Sequence, residues 1–146
     1  EEVKKPVKTK EEVRQRKADE YEAETYKEKG NASLKAGKHK SAIMHYESAI
    51  DLIEDSATYY TNLAVAHAGL KDWESAVEAA GRAREIDPTY VKAAYRYAQS
   101  LHALRRFKEA LQAYEAGLLL QPDNNSMILG REAMLKEAAK LDAGKK

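Results

Sequence analysis

Tyr26-Lys27-Glu28-Lys29-Gly30-Asn31 places a glycine in the middle of a segment whose apolar periodicity reads as helix and continues through Leu34. Glycine inside a helix costs about 1 kcal/mol relative to alanine, so the position needs a reason. The reason is a column. Gly30, Ala64 and Ala98 stand 34 residues apart, and the same interval separates Ala42, Ala76 and Ala110, and again Ala49, Ala83 and Gly117. Trp73 and Phe107 keep it, with His39 in the first copy, as do Pro88 and Pro122, where the first copy has Glu54. Tyr26 and Tyr60 open two copies, and Ala94 takes that place in the third.

A 34-residue period with small residues in fixed columns resembles the tetratricopeptide repeat, a helix–turn–helix unit that stacks into a solenoid. The physics is legible beside the resemblance. Two antiparallel helices approach closely where side chains are small, and Leu34, Tyr46, Leu63, Trp73, Leu101, Phe107 and Tyr114 fill the space around those contacts. Gly30 is then a packing residue rather than a helix terminator. The pattern predicts an all-α fold with helix pairs at 23–36 and 39–53, 57–70 and 73–86, and 91–104 and 107–120. The repeats occupy 23–56, 57–90 and 91–124. Gly37 suits a tight turn, and Pro88 and Pro122 close the second helices. A helix over 125–142, within a 125–146 capping element, follows Asp123 as N-cap and turns Ile128, Leu129, Leu135 and Leu141 onto a partly apolar face. The resemblance implies a right-handed superhelical solenoid.

At 146 residues, one domain is the expectation. Residues 1–22 carry seven acidic and seven basic residues and Pro6. Thr9 and Glu12 have capping-box spacing, so a charged helix should begin near Lys10 and run into the first repeat. The net charge of +1 offers no global field for nucleic acid or a membrane surface. With no cysteine, disulfides, thiolate metal sites and cysteine nucleophiles are excluded. His39, His45, His67 and His102 lack metal-ligand spacing, and no nucleophile elbow or phosphate-cradling loop is present. The expectations are therefore no enzyme, no metal, no cofactor, no nucleic acid and no membrane. A chain starting at Glu1 rather than Met reads as an excerpt of a longer protein, a monomeric module with the cytoplasm as its default compartment.

The first helix of each pair lines the concave side of such a stack. Its outward positions are Glu24, Lys27, Glu28 and Asn31 in the first copy, Thr58, Thr61, Asn62 and Val65 in the second, and Lys92, Tyr95, Arg96 and Gln99 in the third. From Lys92 to Lys108 the chain holds five basic residues and no acidic one. Lys27/Asn31 and Lys92/Arg96 are i,i+4 pairs, so each shares a helix face. Two cations at that spacing destabilise a helix slightly, which argues against a folding role unless Glu24 or Glu28 reaches across. Convergent Lys, Arg and Asn donors suit a carboxylate.

Lys27, Asn31, Asn62, Lys92 and Arg96 resemble, column by column, the dicarboxylate clamp of co-chaperone tetratricopeptide domains. The Tyr26–Asn31 stretch is similar to the first-repeat signature of the Hop-type organising co-chaperones. The resemblance covers about residues 23–142 and implies binding of the acidic C-terminal Glu-Glu-Val-Asp tail of cytosolic 70-kDa and 90-kDa heat-shock chaperones. It departs from the family at two places, the missing proline of the first repeat and the missing aromatic at the start of the third. Leu34, Val65 and Ala68 are candidates for an apolar pocket beside the clamp, with Gln99 and Arg105 as further contacts; Leu34 favours the 70-kDa class. The alternatives are a generic scaffold using its convex face or the 1–22 helix, and the regulatory arm of a larger enzyme.

Overall fold

A computed structural model describes residues 8–144, so Pro6 with the rest of 1–7, and 145–146, lie outside the described residues. Among the described residues seven helices follow one another: α1 Lys10–Lys35, α2 His39–Leu52, α3 Ala57–Gly69, α4 Trp73–Ile86, α5 Val91–Ala103, α6 Phe107–Leu120 and α7 Asn125–Ala143. Each packs on the next in the chain, α3 also touches α5, and α5 touches α7. α3, α5 and α7 thereby form one layer of the stack, and α1 joins it through the hydrogen bond from the Tyr59 hydroxyl to Glu24.

α1 begins where its capping box puts it. The Glu12 backbone N–H donates to Thr9 Oγ1 at 3.1 Å, and the Thr9 N–H donates to Glu12 Oε2 at 2.7 Å. The helix runs unbroken from this charged segment into the first repeat. Ser56 and Asp72 cap α3 and α4 through the Tyr59 and Ser75 N–H groups. At α7 the cap is Asn124, not Asp123. Asn124 Oδ1 accepts from the Met127 N–H at 3.0 Å, while its own amide donates to Gln121 Oε1.

The three turns within pairs are one structure repeated. Gly37, Lys71 and Arg105 all take positive φ, at 74°, 60° and 62°. In each turn the residue's N–H donates three residues back, to Leu34, Ala68 and His102. The following N–H donates five back, to Ser33, His67 and Leu101. The latter bond is that of the Schellman motif. Glycine is present only in the first copy, so two side chains bear the left-handed conformation to keep the turn.

The small columns lie inside: Gly30, Ala42, Ala49, Ala64, Ala76, Ala83, Ala98, Ala110 and Gly117 are all buried. A Cβ on Gly30 would stand 2.5 Å from Cε1 of Tyr46, whose side chain is wholly buried. The apolar interior forms successive clusters along the stack, each drawing on neighbouring helices. This is the one-dimensional construction of repeat proteins.

α7 turns a different face inward from the one its leucines indicate. Met127, Gly130 and Met134 are buried, whereas Leu129, Leu135 and Leu141 are 66%, 49% and 46% exposed. The flexible Met127 lies where Gly117 has no side chain, and Gly130 receives the ring of Tyr114. Ile128 and Ala133 flank this contact, half-buried.

Candidate functional site

On α1, Lys27 and Asn31 are both held by partners. The Lys27 ammonium donates to Glu24 Oε2 at 2.6 Å, and Glu24 Oε1 accepts the Tyr59 hydroxyl at 2.8 Å. These hydrogen bonds, first from Lys27 and then from Tyr59, hold the Glu24 carboxyl below its ordinary pKa. Burial, and then the Glu24 carboxylate, push the Tyr59 phenol up. Asn31 Oδ1 accepts from the Tyr46 hydroxyl at 2.5 Å. With its oxygen engaged from beneath, the Asn31 amide presents its NH2 as the free end. Gly30, Tyr46 and Asn31 are thus one device: the missing Cβ admits the ring, and the ring's hydroxyl orients the amide.

Across the stack, α3, α5 and the α6–α7 corner enclose a cleft of about 870 Å³. Asn62 and Val65 of α3 and Lys92, Tyr95 and Arg96 of α5 line it. Thr61, Thr89, Tyr90, Gln121, Asn124 and Ser126 complete its polar wall, and no Asp or Glu contributes. Arg96 is braced on two sides. Its guanidinium lies 5.6 Å from the Tyr95 ring centroid, and Nη1 donates to Gln99 Oε1 at 3.1 Å. Among the described residues, neither Lys92 nor Arg96 has an ion-pair partner. Glu24, which could have crossed to them, pairs with Lys27 instead.

Of the ten candidates, Asn62, Val65, Lys92 and Arg96 share this cleft, and Lys27 and Asn31 stand apart from its lining on α1. Leu34 is half-buried and packs on the core cluster that holds Ala42, Tyr46 and Leu63. Ala68 is half-buried next to the α3–α4 turn, outside the cleft. Gln99 braces Arg96 and lines an adjoining cleft of about 460 Å³ between α5 and α7. Arg105 sits in the left-handed turn position, its guanidinium 5.1 Å from the Phe107 ring centroid, outside the cleft. Thr61 and Tyr95, outward positions of the inner helices that are not among the ten candidates, also belong to the lining. A signal for both existed, since they occupy the Lys27 column at intervals of 34.

Paired helices at a 34-residue period, with an acid-free cleft that holds Lys92 and Arg96, define a helical-repeat scaffold. A family model described as "Anaphase-promoting complex, cyclosome, subunit 3" matches residues 35–117, more than half of the chain. The chain belongs to this family of tetratricopeptide-repeat proteins. It is 34% identical over 111 residues to the small glutamine-rich tetratricopeptide repeat-containing protein 2 of Mycosarcoma maydis, covering 76% of this chain and 32% of that protein. The chain therefore spans about a third of that relative's length.

The solved structures that the chain resembles include complexes with peptides. The first TPR of Spaghetti (RPAP3) bound to HSP90 peptide SRMEEVD is 30% identical with a TM-score of 0.80, over 83% of this chain and 98% of that one. The second TPR domain of human RPAP3 in complex with HSP70 peptide SGPTIEEVD is 28% identical with a TM-score of 0.77, over 80% and 97%.

Proposed function

We propose that this domain is an adaptor module that docks the acidic C-terminal tail of 70-kDa and 90-kDa heat-shock chaperones, in the cytosol where those tails are found. One observation carries the reading. Lys92 and Arg96 share a cleft with Asn62, the lining contains no acid, and no described carboxylate pairs with either cation. A terminal aspartate brings two carboxylates on one residue. Arg96 takes one with its planar fork, Lys92 supplies a point charge, and the asparagine amides add directional donors. On this reading Lys27 and Asn31 form the opposite wall. Support also comes from the structural relatives, whose bound peptides both end in Glu-Glu-Val-Asp. Because those peptides come from both chaperone classes, both are proposed as partners.

The test is a titration of a peptide ending Glu-Glu-Val-Asp as free acid and as C-terminal amide. Charge-assisted hydrogen bonds contribute about 1.5–3 kcal/mol each, and ordering a flexible tail offsets much of the sum. The free acid should bind near micromolar Kd, about −8 kcal/mol, and the amide at least ~10-fold more weakly. Equal affinities would rule out the clamp. They would point to a scaffold that uses another face.

Tyr46→Phe probes the α1 wall separately. The ring remains over Gly30, but the hydroxyl that holds Asn31 Oδ1 is gone. Affinity for the free-acid peptide should fall about threefold to tenfold, the equivalent of roughly one hydrogen bond. An unchanged Kd by calorimetry would mean that Asn31 donates nothing to the ligand.

A further inference from the structure

Glu24 is the one acidic residue that contacts a candidate clamp cation among the described residues. Its placement is fixed from two directions. Oε2 receives the Lys27 ammonium at 2.6 Å, and Oε1 receives the hydroxyl of Tyr59, itself 4% exposed and anchored in the core cluster formed with Ala23, Ala49 and Ile53. A carboxylate on a flexible side chain at a helix surface ordinarily trades its partners freely with water. Here a buried phenol from α3 tethers it beside the lysine. Among the described residues, Lys92 and Arg96, the other two cations, have no such internal partner. On the docking reading the groove is therefore asymmetric, with its third-repeat cations open and its first-repeat cation already paired.

We propose that Glu24 is a built-in competitor for the groove, a carboxylate of the chain's own that partly neutralises Lys27 and with which an incoming acidic peptide has to share it. The proposal rests on the carboxylate-docking reading above and adds a residue that works against binding. An ammonium has three N–H groups, so Lys27 can bond both carboxylates at once. What Glu24 removes is charge: a ligand carboxylate arriving at Lys27 meets a tethered anion within the same salt bridge. Like charges a few ångströms apart at a partly exposed site repel by an amount equivalent to a severalfold change in affinity. The consequence is selectivity. An anion satisfied by Lys92 and Arg96 alone is unaffected, whereas a ligand that needs the α1 wall has to be acidic enough to share Lys27 with Glu24.

The decisive variant is Glu24→Gln, which retains an oxygen for the Tyr59 hydroxyl and removes the negative charge. Calorimetric titration of the free-acid Glu-Glu-Val-Asp peptide should show about threefold to tenfold tighter binding than the unmodified domain. In a Lys27→Met background the same substitution should change affinity less than about twofold, because the contested cation is gone. Weaker or unchanged binding of Glu24→Gln, with its melting transition intact, would overturn the proposal and make Glu24 a positioning residue for Lys27. A gain that persists undiminished in Lys27→Met would also overturn it, since the effect would then be one of net charge. An unmodified domain that does not distinguish free acid from amide removes the docking reading itself, and the competitor with it. That result is separable because it appears before any substitution is made.

Discussion

Arg96→Ala is expected to weaken binding of the free-acid peptide by about 2 kcal/mol or more, at least ~30-fold. Three features of Arg96 make its loss larger than that of any other groove residue. It is already braced by the Tyr95 ring and by Gln99 Oε1, so little side-chain freedom remains to be lost when a ligand arrives. Among the described residues it has no competing carboxylate, unlike Lys27. It can offer two parallel N–H donors to one carboxylate, so truncation strands a ligand charge in a cleft with no substitute fork. Lys92→Ala removes only a compact charge from an exposed position, and the smaller effect of about fivefold to tenfold is expected. Arg96→Lys keeps the charge and loses the planar geometry, so it should recover only part of the affinity. A titration in which Arg96→Ala binds as tightly as the parent would remove Arg96 from the site. Thermal melting separates this outcome from misfolding.

The stack was legible because its rule is steric and repeats. Small side chains at intervals of 34 mark where backbones approach, and large ones fill around them, so helix limits at Trp73, Ile86, Phe107 and Leu120 follow directly. The α1 cap was legible for a similar reason, since Thr9 and Glu12 satisfy each other within one turn. What escaped depends on pairings across helices or on conformation rather than composition. Lys71 and Arg105 take the left-handed turn that a glycine takes at position 37, because two backbone hydrogen bonds per turn fix it. α7 buries methionines and a glycine where leucines seemed the core face, because Gly117 and Tyr114 set the shape it meets. Asp123 and Asn124 are equally good caps by residue type, and only the fold shows that Asn124 is the one that accepts the Met127 N–H. At the site, the residue types were readable in columns, whereas the tethers from Tyr59 to Glu24 and from Tyr46 to Asn31 join different helices.

Gly30→Ala is expected to destabilise the domain, against the usual sign for a glycine inside a helix. Propensity alone predicts a gain of about 1 kcal/mol. Against it stands the added methyl, 2.5 Å from Tyr46 Cε1 and 2.7 Å from Cδ1, well inside van der Waals contact. That ring cannot swing away cheaply. It is wholly buried, and its hydroxyl is held by Asn31 Oδ1 on the same helix as the glycine. Overpacking of this kind costs about 1–3 kcal/mol, so alanine should come out neutral to ~2 kcal/mol less stable. Valine adds two further methyls and loses the propensity gain, for a net loss of about 3 kcal/mol or more. Urea unfolding resolves both, and a stabilised Gly30→Ala would show that the helices do not meet there as closely as described. The same substitutions should also weaken peptide binding beyond their effect on folding, because displacing Tyr46 releases Asn31. Combining Gly30→Ala with Tyr46→Leu tests that coupling. The smaller side chain relieves the clash, so stability should partly return, while affinity should not, because the hydroxyl that orients the amide is absent. Recovery of both together would separate Asn31 from Tyr46 and leave the glycine a packing residue alone.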